Sequence, residues 1–286
     1  MDAIFPADDP HSAVLSRDGE TCRLTTVPGA ARPSEELPPF KPEFLVTRGG
    51  QSGVGRAGML YRDLIPSRLG GRYIASHITI PEGGPVSDWV HFHRIAFQMI
   101  YVRSGWVRVV YEDQGEPFVM NPGDLVLQPP GIRHRVLESS PRLEVVEITA
   151  PALHETLADH ELTLPNATVD RDRLFGGQRF LHHVAAAVPW TSFHGAEAQQ
   201  TAVLDASGGL TDVRTLRRGG ADKIEFDPHD GELVFGFVLD GSAFLDFGEG
   251  QEIGPSDSFV IPPGEGWRLS AISSGFRLLQ VTASRL

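Results

Sequence analysis

Two stretches of this chain, 133 residues apart, carry the same turn chemistry, and that repetition constrains the fold more than any other feature. Residues 121–134 read NPGDLVLQPPGIRH and residues 254–267 read GPSDSFVIPPGEGW. At this offset Pro122 matches Pro255, Asp124 matches Asp257, Pro129 and Pro130 match Pro262 and Pro263, and Gly131 matches Gly264. Upstream, FQMIYVRSG at 97–105 aligns with LVFGFVLDG at 233–241 at an offset of 136, three residues more. A repeat unit of this length is a whole domain rather than one turn of a solenoid.

Each copy is written in strand texture. From Arg72 onward GRYIASHITI, FQMIYV, WVRVVYE, DLVLQP, RHRVLE and RLEVVEITA are short runs rich in β-branched and aromatic residues. EGG, SG, DQGE, NPGD, PPG and SSPR separate them, all turn formers. Gly 31 and Pro 22 among 286 residues, scattered without period, fit many tight turns and exclude a collagen-like chain. The pattern predicts an all-β protein of antiparallel sandwiches or barrels. Its divisions are a Pro-rich extended arm at 1–70, a first barrel at 71–150, a partly helical linker at 151–210 and a second barrel at 211–286. In the linker, PALHETLADHE reads as a short helix opened by Pro151.

The balance of 25 basic against 37 acidic residues, a net charge of −12, argues against an electrostatic grip on nucleic acid or on an anionic membrane. Cys22 has no second cysteine to pair with, which fits a reducing compartment. The opening MDAIFPADDPH lacks the basic start and apolar run of a secretory signal, and no apolar run approaches the roughly 20 residues of a membrane helix. The expectation is a soluble, cytoplasmic protein.

Chemistry concentrates at His91, His93, Gln98 and His134. Residues i and i+2 of a strand share a face, so His-Phe-His presents two imidazoles side by side. Gln98 begins the next strand, and His134 follows the tight Pro-Pro-Gly turn. Three imidazoles and one oxygen suit a divalent first-row metal with open positions for water or substrate. Zn, Fe, Ni, Mn and Co all accept such a set.

These residues resemble the cupin superfamily. The first cupin motif reads here His91-x-His93-x4-Gln98-x6-Gly105, and the second reads Gly123-x5-Pro129-x-Gly131-x2-His134. The resemblance is strong over about 75–150 and weaker over about 215–283, and implies a bicupin: two tandem jelly-roll barrels in one chain. It also implies that His91, His93, Gln98 and His134 ligate one divalent transition metal. The chain departs from the usual pattern in having Gln98 where most cupins have Glu, and Glu138 where many have Asn. A neutral amide leaves the metal centre nearer +2 than +1. That strengthens a Lewis acid and removes an anionic donor that would support a higher oxidation state. In the second copy the corresponding positions are Asp227, His229, Val234 and Trp267. Val234 cannot ligate and Trp267 would fill the space of an imidazole, so this barrel is expected to hold no metal and to pack against the first.

Glu138 is the candidate acid–base residue, on family position alone. Tyr101 and Arg103 should face outward, since Gln98 sets the inward phase. Arg94, in the turn between ligands, reads by default as a surface arginine. Gly53-Val54-Gly55-Arg56-Ala57-Gly58 satisfies GxGxxG, but Pro66 follows too soon for a dinucleotide helix, so the run reads as a flexible loop. The functional expectation is a metal-dependent enzyme doing isomerase, lyase, cyclase or hydrolytic chemistry on a small oxygenated substrate. The alternatives are a dioxygenase acting on a phenol or diketone, and a non-catalytic binding or sensing module. A homodimer is a mild expectation.

Overall fold

The structure, a computed structural model, describes residues 1–26 and 37–286; the middle of the Pro-rich arm lies outside the described residues. What is described is almost entirely β, with a single one-turn α-helix at Val203–Ala206. Four large sheets form two barrels. In the first, the strands Phe118–Met120, Val107–Tyr111, His134–Ser139, His91–His93 and Thr156–Ala158 lie side by side in that order. They face a sheet ordered Leu181–His183, Leu125–Leu127, Phe97–Ser104, Leu143–Ala150, Ile74–Ile80 and Leu60–Asp63. The second barrel sets the sheet containing Thr211–Arg217, Arg277–Ala283, Leu233–Asp240 and Ser258–Ile261 against Ile224–Phe226, Trp267–Ser270, Ala243–Asp246 and Gln251–Ile253.

The duplication read from the turns extends to their hydrogen bonds. Asp124 Oδ2 accepts from the Asn121 amide at 2.8 Å, and Asp257 Oδ2 from the Gly254 amide at 2.9 Å. The Gly131 amide donates to the His93 carbonyl, and the Gly264 amide to the His229 carbonyl. Both glycines are left-handed, with φ of 76° and 95°, which a side chain disfavours. Each long central strand breaks register at the same place, between Val102 and Ser104 in one copy and Val238 and Asp240 in the other.

The barrels meet on their outer faces. Along Phe97–Ser104, alternation sends Gln98 and Ile100 into the first barrel, and Phe97, Met99 and Tyr101 out. The outward residues are not solvated. Met99, Tyr101, Leu125, Leu127, Val146 and Ile148 form one buried cluster with Val213, Phe235, Phe237, Val260, Leu279 and Val281 of the second barrel. Burial of this apolar surface is the main adhesive between the barrels. A buried ion pair supplements it: Arg72 Nε and Nη2 donate to the two oxygens of Glu232 at 2.9 Å each, and Tyr73 adds its hydroxyl at 3.1 Å. Arg103, outward as its phase demands, donates to Glu144 and to Ser256 Oγ across the junction.

Two expectations about the connecting segments need correction. Residues 151–161 contain no helix; Thr156–Ala158 is a strand antiparallel to His91–His93, with Thr156 opposite His93 and Ala158 opposite His91. The open edge of that histidine strand offers backbone partners, and tertiary pairing overrides a weak local preference. The arm is also more built-in than a tail. Ala3–Phe5 continues the histidine sheet through Thr156–Ala158, and Leu45–Thr47 pairs with Ser258–Ile261 of the second barrel.

Candidate functional site

The histidine strand puts the site together. His91 lies opposite His134 on the neighbouring strand, with ring centroids 4.1 Å apart, and His93 sits 5.3 Å from both rings. All three imidazoles are buried, and each can bring one nitrogen within 4.8 Å of the others. Their outward nitrogens are held. His91 Nδ1 donates to the Trp89 carbonyl at 2.8 Å and His134 Nδ1 to the Ile132 carbonyl at 3.1 Å, while His93 Nδ1 lies 3.4 Å from Thr156 Oγ1. A histidine whose Nδ1–H is so engaged presents the lone pair of Nε2. His91 Nε2 is buried with no hydrogen-bond partner, which is what a metal ligand looks like before its ion is added.

Electrostatics keep these rings neutral. Burial is the largest cause for each, and holds His91 and His93 well below the ordinary histidine range and His134 down to about 4. Neutral imidazole is the ligating form.

Gln98 comes from the opposite sheet and is 1% exposed. Its Oε1 accepts from Gln128 Nε2 at 2.8 Å, and its amide hydrogen-bonds the Glu147 carboxyl. Gln128 Nε2 also lies 3.1 Å from His134 Nε2, and Gln128 Oε1 accepts from the Tyr111 hydroxyl at 2.7 Å. The amide of Gln128 thus bridges an imidazole lone pair and an amide oxygen that the sequence nominated as ligands. His134 Nε2 has one lone pair, so an ion bound there takes the place of the Gln128 hydrogen bond. The donor set (three neutral imidazoles, one orphaned, with an amide oxygen beside them) fits a divalent transition metal.

These groups line a cavity of about 680 Å³ including its opening, within the range of small-molecule sites. Its other walls are apolar: Ile78, Ile80, Ile100, Val107, Val109 and Val145 among them. Two ionisable side chains interrupt them, Arg56 and Glu147. Burial pushes the Glu147 carboxyl up to about 7, against the pull of Arg56. Arg56 Nη1 donates to Asp88 Oδ1 at 2.5 Å, and Asp88, fully buried, also accepts from the Val136 amide at 2.9 Å.

Glu138 is placed elsewhere. A bulge at Leu137 shifts the register so that Val136 faces Val109 across the cavity wall while Glu138 pairs with exposed Arg108. The extra residue reverses the inward phase, and Glu138 does not line the cavity. Arg94 is exposed and also off the wall. Residues that sequence reasoning missed are Arg56, Tyr111, Gln128, Glu147 and His154, the last with its ring 5.3 Å from His93. Glu147 did leave a signal, as the one acid on the inward phase Leu143, Val145, Glu147, Thr149.

The second copy is plugged at the equivalent place. Trp267 stacks on Phe226 at 3.8 Å and meets Phe259 edge-on, and His229 Nε2 donates to the Ile261 carbonyl. Its interior is a continuous apolar cluster with Val234, Val238 and Ile261.

Comparison with known proteins agrees with this architecture. Residues 76–148 match the family model of the cupin domain. No curated protein matches the sequence. Among solved structures, protein Ylba from E. coli superposes with a TM-score of 0.62 at 12% identity, over 86% of this chain and 93% of that one. Oxalate decarboxylase from Bacillus subtilis superposes with a TM-score of 0.56 at 9% identity, over 89% of this chain and 78% of that one. Among the described residues no helix is long and apolar enough to cross a membrane. With the motif spacing, the doubled barrel and the matched domain agreeing, the chain is a cupin of the two-barrel kind, its three-histidine cluster confined to the first barrel.

Proposed function

We propose that this protein is a metal-dependent enzyme acting on a small oxygenated molecule, with one divalent transition metal held by His91, His93, His134 and Gln98. The observation that carries the reading is the convergence of three neutral, outwardly anchored imidazoles on the wall of a cavity of small-molecule size. Bound there, the ion supplies Lewis acidity toward a carbonyl, hydroxyl or carboxylate oxygen. The chain's own residues do the rest. The apolar walls exclude water, Tyr111 and Gln128 orient the amide of Gln98, and Glu147 is the one carboxyl lining the cavity able to take or return a proton. In this reading Glu147 takes the acid–base role for which Glu138 was the sequence candidate. Isomerase, lyase, cyclase or hydrolytic chemistry all fit. Oxalate decarboxylase, which shares the fold, acts on a small oxygenated molecule, but at 9% identity it lends the fold and not its substrate.

The test is elemental analysis of protein purified without added metal, beside the His91→Ala/His134→Ala variant. About one zinc, manganese, cobalt or nickel per chain in the parent and none in the variant is the expected result. About one iron, with oxygen consumed on phenols or diketones, would transfer the assignment to a dioxygenase. A parent that binds no metal even after dialysis against zinc overturns the ligand assignment and leaves a binding module.

A further inference from the structure

Arg56 is the one cation lining the cavity, and local economy does not explain its presence there. It sits in the glycine-rich run of the arm, far in sequence from the barrel motifs. Gly55 passes so close to the Tyr61 ring and the Ala7 carbonyl that a β-carbon there would lie 2.5 Å and 2.7 Å from them. The Arg56 amide donates to that same carbonyl at 2.9 Å, and the Gly55 amide to the Met59 carbonyl at 2.8 Å. The run expected to be a flexible loop is a pinned strap, and it delivers a guanidinium into the first barrel.

Only part of that guanidinium is used. Nη1 is engaged by Asp88, whereas Nε–H is buried with no hydrogen-bond partner. An unmade hydrogen bond on a buried charged donor is costly to folding. Asp88 cannot turn to serve it without abandoning the Val136 amide. The guanidinium is within electrostatic reach of all three clustered imidazoles and of Glu147. A planar, permanently charged donor in an apolar-walled cavity suits a carboxylate.

We propose that Arg56 is the anion-recognition residue of this cavity and that its ligands are small organic acids, the carboxylate docking on the unpartnered Nε–H. The part of this that concerns a substrate rests on the function proposed above; the anion site itself does not require the metal.

The experiment uses the full chain, both metal-stripped and zinc-loaded, with trifluoroacetate as probe and trifluoroacetamide as its neutral counterpart, each titrated by fluorine NMR. The parent is expected to bind the anion saturably and at least about tenfold more tightly than the amide, the scale of one charge-assisted hydrogen bond. Arg56→Met should abolish that preference while leaving amide binding and zinc stoichiometry unchanged. Because Arg56→Met strands the buried charge of Asp88 and can unfold the protein, Arg56→Met/Asp88→Asn is made beside it; asparagine still accepts from Val136. Anion binding within threefold of the parent in either folded variant overturns the proposal. So does a parent that fails to prefer the anion, or that binds neither probe with or without zinc. Loss of zinc binding in the parent with the Arg56-dependent preference intact would remove the metal reading and leave this one standing.

Discussion

At the scale of single residues, the site is a competition for lone pairs. Gln128 occupies both His134 Nε2 and Gln98 Oε1, and is itself held by Tyr111. Gln128→Ala leaves buried polar groups without partners, which costs about 1–3 kcal/mol. An ion bound to His134 and Gln98 satisfies two of them, so the loss should be smaller in zinc-loaded protein. By linkage the variant then binds zinc more tightly than the parent by the same difference. Denaturant unfolding with and without zinc checks this, and an equal loss in both forms would remove Gln128 from the site. The same residues show what the sequence could reveal. His91, His93, Gln98 and His134 were legible because their spacing is confined to two turns. Glu138 was misplaced because one extra residue at Leu137 reverses a strand's phase, and a bulge leaves no mark in a pattern of alternation. Gln128 and Glu147 needed the register between strands, which is a tertiary quantity.

At the scale of elements, repetition was the readable part. The Asp turn, the left-handed glycine and the register break recur at fixed offsets, so local chemistry dictated both copies. Edges were not readable. A short histidine strand in need of partners recruits Thr156–Ala158, where the local pattern suggested a helix. The strap around Arg56 was equally opaque, since its tightness comes from Tyr61 and Ala7 packed against Gly55. Gly55→Ala is expected to lower stability by about 1–3 kcal/mol, as overpacking does where backbone bounds the space. It should displace Arg56 and weaken anion binding, yet leave metal stoichiometry at the parent value because the histidine strands are untouched. Thermal unfolding and elemental analysis of the same preparation read both effects.

At the scale of the whole molecule, the two barrels are a single cooperative object. Their shared cluster and the Arg72–Glu232 pair lie at the junction. Arg72→Met leaves Glu232 buried without its countercharge and should cost about 3–5 kcal/mol, whereas Arg72→Met/Glu232→Gln should recover much of it. Denaturant unfolding should show one transition in every case; separate transitions for the barrels would contradict a common core. The pairing of Leu45–Thr47 with Ser258–Ile261, reinforced by Arg48 on Asp257 at 2.6 Å, also sets an order in time. A chain leaving the ribosome presents residues 45–47 long before their partners exist, so the segment that leads into the Arg56 strap waits unanchored for nearly the whole of synthesis. Truncated chains that end before residue 258 would hold every histidine of the site and still lack this anchor. The arm thereby makes completion of the polypeptide a condition for the finished cavity, a proofreading of length written into the sheet.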